Sequence, residues 1–280
     1  MENNERLKQE VLKGINMTGF PLEMEIGRIL QSKDWHPFYS HFYRDIKNLE
    51  NKELDIRTSK YYGNFEANLY IECKHSNMKQ WAFFIPEESS FLCLDHIKYF
   101  PRKKPLSYYF LSKPNESIFA VLKEFCDSKN IALNSAIFRK TKKLDDATIR
   151  LAIDTCIGAL IYNNLNYFEK QPPPLKKSIN FAFVIFDGPI FAFKGQDTFD
   201  EVKYIKYKHP YLTEPWKLPA NIRTRPIYTL WERFIEKVGF SYIVEFIHQD
   251  YFSVHLDKLD KQLKELNNVW TQENEINQRS

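Results

Sequence analysis

Residues 179–186 are apolar almost without interruption, the signature of a strand covered on both faces. Such a strand obliges the chain to build layers, because each face must be buried against something. Immediately before it, residues 145–170 carry Ile149, Ala152, Ile153, Cys156, Ile157, Leu160 and Ile161 at spacings of three and four. That period predicts a long helix packed on the sheet as a crossover, stopped by Gln171-Pro172-Pro173-Pro174. The expected class is α/β, with a central mixed β-sheet flanked by helices.

The other elements follow from the same reasoning. Residues 3–16 have an apolar rhythm at Leu7, Val11, Leu12 and Ile15 and predict a short first helix packed on the body. Pro21 suits the first turn of a second helix, whose apolar face is Leu22, Ile26, Ile29 and Leu30. Strands are expected at 35–46, 51–57, 68–75 and 81–85, and later at 202–208 and 240–248. Asp187-Gly188 reads as a hairpin turn into 190–193, with Pro189 pushing that returning strand towards an edge. A helix is expected at 227–237 and an amphipathic one at 251–266, with a frayed tail from Asn267.

Two of the strands carry chemistry. In 69–75, Leu69, Ile71 and Cys73 alternate with Tyr70, Glu72 and Lys74; in 52–57, Leu54 and Ile56 alternate with Glu53, Asp55 and Arg57. If the two strands pair, Asp55, Glu72 and Lys74 converge. Two carboxylates about 5 Å apart repel by roughly 3 kcal/mol at an effective dielectric near 20, which raises one pKa or strains the pair. A divalent cation removes that cost, and carboxylate oxygens completed by water and phosphate suit Mg²⁺ or Mn²⁺. Acid-x-Lys alone is weak, since it recurs at Asp45, Glu50, Asp127 and Glu201, each two residues before a lysine. Only the copy at Glu72 lies in an apolar alternating strand that follows another strand bearing an aspartate. The plain alternative is a solvated strand face with a cross-strand ion pair worth about 0.2–1 kcal/mol.

Asp55, sixteen intervening residues and then Glu72-Cys73-Lys74 resemble the PD-(D/E)xK motif of restriction-endonuclease-like nucleases. The stretch 18–30 followed by Asp34-Trp35 is similar to the first helix of those enzymes, on which a Glu faces the site. Leu54 stands where the family has proline. The resemblance implies a restriction-endonuclease-like core over about 18–193, an insertion with helical and basic character at about 92–143, and a C-terminal elaboration at 194–267 of extra strands and a helix, all within one domain of residues 1–267; 268–280 would be a flexible tail. It also implies a metal-dependent endonuclease acting on DNA, with Asp55 and Glu72 holding Mg²⁺ and Lys74 positioning the nucleophile. Glu23 or Glu25 would support the metal; their helical angles are nearly equivalent, and the family pattern fits Glu23 better. Two alternatives stand beside this: an RNA nuclease, and a catalytically inactive nucleic-acid-binding or assembly module. His75 reads as a strand-end residue rather than a base.

Composition permits this reading without requiring it. The net charge is only +4, so a polyanionic partner depends on where basic residues cluster. Arg102, Lys103 and Lys104 form one run and Lys140, Lys142 and Lys143 another, with Tyr108, Tyr109 and Phe110 nearby; both runs are candidate nucleic-acid contacts. Cys73, Cys93, Cys126 and Cys156 form no Cys-x-x-Cys pair, and neither a zinc site nor a disulfide framework is expected. The opening residues lack the regions of a signal peptide, and no run reaches the ~18 apolar residues that span a bilayer, so the expectation is a cytoplasmic protein with no membrane partner. By analogy with two-site nucleases, a homodimer through the late helix at 251–266 is a further expectation.

Overall fold

The computed structural model describes residues 2–16, 18–45, 50–63, 65–76, 78–86, 131–139, 142–144, 146–169, 177–195, 198–209 and 242–279. The described helices are α1 (Glu2–Asn16), α2 (Phe20–Ser32), α3 (Ala147–Glu169) and α4 (Gln249–Arg279). The strands are β1 (His36–Arg44), β2 (Asn51–Tyr61), β3 (Phe65–Lys74), β4 (Gln80–Ile85), β5 (Ile131–Ala132), β6 (Asn134–Arg139), β7 (Lys142–Leu144), β8 (Lys177–Phe186), β9 (Ile190–Lys194), β10 (Thr198–Val202), β11 (Tyr204–His209) and β12 (Tyr242–His248). They form a seven-stranded mixed sheet in the order β1-β2-β3-β8-β12-β11-β5 and a five-stranded sheet in the order β10-β9-β4-β6-β7. The mixed α/β class expected from the sequence is thereby found.

β8 lies at the centre of the large sheet, parallel to β3 on one side and to β12 on the other. Its apolar run follows from that position, because both of its faces are covered. Phe181, Phe183 and Ile185 face α2 and α4, together with Leu22, Ile26 and Leu30 of α2 and Phe252, Leu256 and Leu263 of α4. Ala182, Val184 and Phe186 face α3 and the smaller sheet, together with Ile153, Cys156 and Ile157 of α3 and Trp81 and Phe83 of β4. Trp81 stacks on Phe186 at 3.9 Å between ring centroids and so joins the two sheets. Burial of one such side chain contributes roughly 1.5–3 kcal/mol.

Several expectations are corrected here. Asp187-Gly188 does not turn β8 back into a hairpin: β9 pairs with β4 and β10 inside the smaller sheet. β3 and β12 already take up both edges of β8, so a returning strand has no ladder to join. Pro189 costs that interior strand nothing, since it precedes the strand and its carbonyl accepts the Trp81 N–H at 3.0 Å. The strand expected at 202–208 is found as β11 from Tyr204 onward, while Val202 instead ends β10 of the smaller sheet; the two are parted at Lys203, whose carbonyl accepts the His248 N–H at 2.9 Å. α1 forms as expected but does not bury its apolar side, for Leu7, Val11, Leu12 and Ile15 remain 42–58% exposed.

At the other end of the chain, α4 runs through the expected frayed tail to Arg279. Phe252, Leu256, Leu259, Leu263 and Leu266 of its apolar face pack on the large sheet. Within the expected insertion, the described residues are strands: β5 edges the large sheet, and β6 and β7 extend the smaller one. Arg102, Lys103, Lys104, Lys140 and the helix expected at 227–237 lie outside the described residues. No helix among the described residues is long and apolar enough to cross a membrane.

Candidate active site at the fork of β2 and β3

The site begins with a change of phase in β1 and β2. Their register runs from His36↔Ser59 to Tyr39↔Ile56 and resumes at His41↔Leu54, leaving Ser40 opposite Asp55. Ser40 has φ 51°, a left-handed conformation in which a strand cannot continue its regular pleat. On one side of this step Tyr39 and Ile56 pack towards α2 and α4; on the other, Tyr43 and Leu54 pack towards α3. The sequence reading put Leu54 and Ile56 on one face, and the structure corrects it. Asp55 sits at the step itself.

The β2–β3 pairing stops at Ile56↔Ile71. Beyond it the strands fork, and the Asp55 carboxylate takes the place of the missing ladder: its Oδ2 accepts the Cys73 N–H at 2.7 Å. The local geometry therefore ties Asp55 to the tripeptide Glu72-Cys73-Lys74. On β3, Glu72 and Lys74 share the face towards α3, as the alternation required, and Lys74 Nζ donates to Glu72 Oε1 at 2.5 Å.

The electrostatics are those of crowded, half-dry carboxylates. Glu72 is only 5% exposed, and its Oε2 is buried without a hydrogen-bond partner. Burial first, and the Asp55 charge second, push its carboxyl up to about 8, against the opposing pull of Lys74. Asp55 is also raised, by burial, with Lys74 and the Cys73 N–H pulling it down and Glu53 pushing it up. Burial alone would lower Lys74, but Glu72 and then Asp55 outweigh it and hold the ammonium charged.

The choice between the two glutamates of α2 is made by burial. Glu23 is partly buried, and its carboxyl is raised by burial, then by Asp55 and Glu53, while Lys74 lowers it. Glu25 is exposed, so the structure does not bring it to the site. Glu53 and Cys156 were missed from the sequence. Glu53 adds negative charge beside Glu23 and Asp55. The Cys156 thiol donates to the Phe183 carbonyl at 3.2 Å and is raised well above its ordinary value by burial, with Glu72 and Asp55 adding to the rise. The signal for Glu53 was its place two residues before Asp55; for Cys156, on a distant helix, there was none. Lys142 and Lys143 lie on β7, at the edge of the smaller sheet, in a different sheet from Asp55 and Glu72.

The donor set fits a divalent cation in one respect and limits it in another. An unpartnered buried carboxylate oxygen next to a second raised carboxyl is what a bound cation would satisfy. Yet among the described residues no group of three or more His, Cys, Asp and Glu is placed to hold an ion. Asp55 and Glu72 would thus be two protein ligands, the remaining positions falling to water and substrate oxygens, with Glu23 outside direct contact. Comparison with protein-family models, with curated proteins and with solved structures yields no match for this chain.

Proposed function

We propose that this chain is a metal-dependent endonuclease of restriction-endonuclease-like type that hydrolyses phosphodiester bonds, with DNA as its substrate. The observation that carries the reading is the fork: a buried Glu72 with one oxygen unpartnered, an Asp55 tied to the same tripeptide, and a charged Lys74 bonded to Glu72. Mg²⁺ or Mn²⁺ held by Asp55 and Glu72 would supply a more acidic water and offset charge on the phosphate. The residues themselves do the positioning. Asp55 is oriented by the Cys73 N–H, so that its other oxygen is left for a ligand. Lys74 presents a fixed positive charge where a phosphate oxygen gains negative charge in the transition state. Glu23, outside direct reach, orients water at the same mouth.

The test is nicking of plasmid DNA in Mg²⁺, compared with Lys74→Ala and Glu72→Gln. Wild-type cleavage that falls at least about 100-fold in either variant supports the reading; equal cleavage in all three, or none in any, overturns it. The same assay on single-stranded RNA separates the RNA alternative. A second reading, a non-catalytic assembly module, draws on the uncovered apolar side of α1, which the nuclease reading does not use.

A further inference from the structure

β4 and β9 give one face to the core and the other to the outside. Trp81, Phe83 and Ile85 of β4 and Ile190 and Ala192 of β9 lie in the core, so the pleat turns Ala82, Phe84, Phe191 and Phe193 outward. The register sets Phe84 beside Phe193, and Phe193 beside Phe199 of β10. Their rings meet. Phe84 stacks on Phe193 at 5.1 Å between centroids, Phe199 stacks on Phe191 at 4.6 Å, and Phe199 meets Phe193 at 4.8 Å. Phe84 is 38% exposed and Phe199 53%, while Phe191 and Phe193 are half-buried. On β6, Phe138 takes the same side by alternation with Ile137 of the core.

The two faces of this sheet differ in kind. The inner one mixes aromatic with aliphatic side chains, as a protein core does. On the outer one the apolar strand positions hold only Phe and Ala, with no Val, Ile or Leu among the described residues. Rings gathered in a partly exposed row suit a flat partner, since every base has a π-face that stacks on an aromatic side chain whatever the sequence. A protein partner would be served as well by Leu or Ile.

Charge is arranged to match. At the β7 edge Arg139 and Lys142, both exposed, are register partners, and Lys143 holds the position opposite Phe138. Like charges directly opposite one another destabilise a strand pair, and a phosphate backbone along that edge offsets the cost. The other edge is β10, with exposed Asp200 and with Glu201 3.5 Å from Lys203. A polyanion is thereby drawn to the β7 edge, and its bases reach inward over the rings.

The platform is tethered to the fork. Lys74 ends β3 and Gln80 begins β4. The connection spans at most about 22 Å at full stretch. A turn within it, closed by the Lys79 N–H on the Ser76 carbonyl at 2.7 Å, shortens the path. Asp187 at the end of β8 holds the connection in place: its Oδ1 accepts the Ser76 N–H at 2.5 Å, and its Oδ2 pairs with His75 Nδ1. The near margin of the platform, where Gln80 pairs with Phe138, thus lies a few nucleotides from Lys74.

We propose that the outer face of the smaller sheet is a stacking platform for the bases of single-stranded DNA, with the phosphate backbone along the β7 edge. This deepens the nuclease reading, on which the cut itself rests: the preferred substrate is DNA that carries a single-stranded segment.

The experiment is fluorescence anisotropy of the full chain in EDTA with two probes, a blunt DNA duplex and the same duplex bearing an oligothymidine tail. The tail should tighten binding. In variants whose circular dichroism matches wild type, Phe84→Ala and Phe199→Ala should each weaken the tailed probe about 5-fold or more and leave the blunt one within about twofold. Phe199→Tyr, which keeps the ring, should bind as wild type; Phe199→Leu, which keeps only apolar bulk, should bind as Phe199→Ala does. Lys142→Ala should flatten the dependence of log affinity on log salt by about 0.7 for the tailed probe. A tail that adds nothing, a Phe199→Leu that matches wild type, an equal loss on both probes, or a dimer in sedimentation that Phe199→Ala dissolves would each overturn the proposal. Any of these with plasmid still nicked leaves the nuclease reading standing. Tail binding that needs Phe84 and Phe199, in a chain that nicks nothing, upholds the platform and removes the nuclease reading.

Discussion

Replacing Glu72 by glutamine removes a buried titratable carboxyl while keeping the length of the side chain and leaving Lys74 Nζ an acceptor oxygen. The carboxyl is raised from 4.5 to about 8 in the folded chain, so it is protonated in the native state over much of the range in which the unfolded chain ionises it. A folded pKa above the unfolded one gives stability that is fully present below about pH 4.5 and is lost as the pH climbs towards 8. At pH 7, two and a half decades above the ordinary value, the loss is about 3 kcal/mol at ~1.36 kcal/mol per decade. Asp55 and Glu23 are raised as well and add to it in the same direction.

In the presence of a chelator, wild-type melting temperature should therefore fall between pH 5 and pH 8, and Glu72→Gln should melt higher at the upper end by roughly 6–12 °C, at ~2–4 °C per kcal/mol for a chain of this size. Saturating Mn²⁺ at about a hundred times its Kd would return about 2.7 kcal/mol to the wild type, because it binds only the native site. The variant should gain little. Circular dichroism melts at four pH values, with EDTA or with Mn²⁺, decide the matter. A gap between variant and wild type that does not grow with pH, or Mn²⁺ stabilising both alike, would refute the reasoning that the fork is a site of uncompensated negative charge.

Three further outcomes are expected. Asp260 pins α4 to the β2–β3 hairpin through Lys60 at 2.8 Å and Tyr62 at 2.6 Å, and pairs within α4 with Lys264 at 2.6 Å; burial would raise its carboxyl, but these hydrogen bonds bring it down to about 2. Asp260→Asn should cost about 2 kcal/mol near neutral pH and progressively less as the pH falls through 2, read by urea denaturation at pH 7 and pH 2.5. Gly158 lies on α3 where a Cβ would come 2.9 Å from Tyr43 Cε2, so Gly158→Ala should lower stability by about 1–2 kcal/mol even though alanine favours a helix by ~1 kcal/mol; a rise in melting temperature would show that Tyr43 yields. Trp81→Ala, which deletes the ring stacked on Phe186, should cost about 3–5 kcal/mol and loosen the smaller sheet first, seen as faster amide exchange in β4 and β9 than in β3 and β8.

Much of the fold could be read from periodicity. The helix expected at 145–170 is α3 within two residues, the run at 179–186 lies inside β8, and the hairpin bearing Asp55 and Glu72 is β2 and β3. The shared face of Glu72 and Lys74 follows from the pleat alone. The smaller sheet was not readable, because β4, β6 and β9 pair across separations for which the sequence carries no marker. Nor was Asp187: as one half of Asp187-Gly188 it suggested a turn, and only the parallel pairing of β3 with β8 brings its carboxylate to His75. Glu23 and Glu25 were equivalent by helical angle until packing half-buried Glu23 and left Glu25 exposed.

What the sequence determined by itself is the set of local periods, since these depend on side-chain geometry a few residues apart: which stretches are strands or helices, and which acidic residues lie on the same strand as a lysine. What only the tertiary structure decided is how those elements share their edges and faces. The left-handed turn at Ser40 changes the phase of β1 and β2, the fork past Ile56 leaves Asp55 to take up the Cys73 N–H, and the covered edges of β8 send β9 to another sheet. Each of these depends on a backbone hydrogen bond either finding or lacking a partner far away in the chain, and local spacing does not encode that partner.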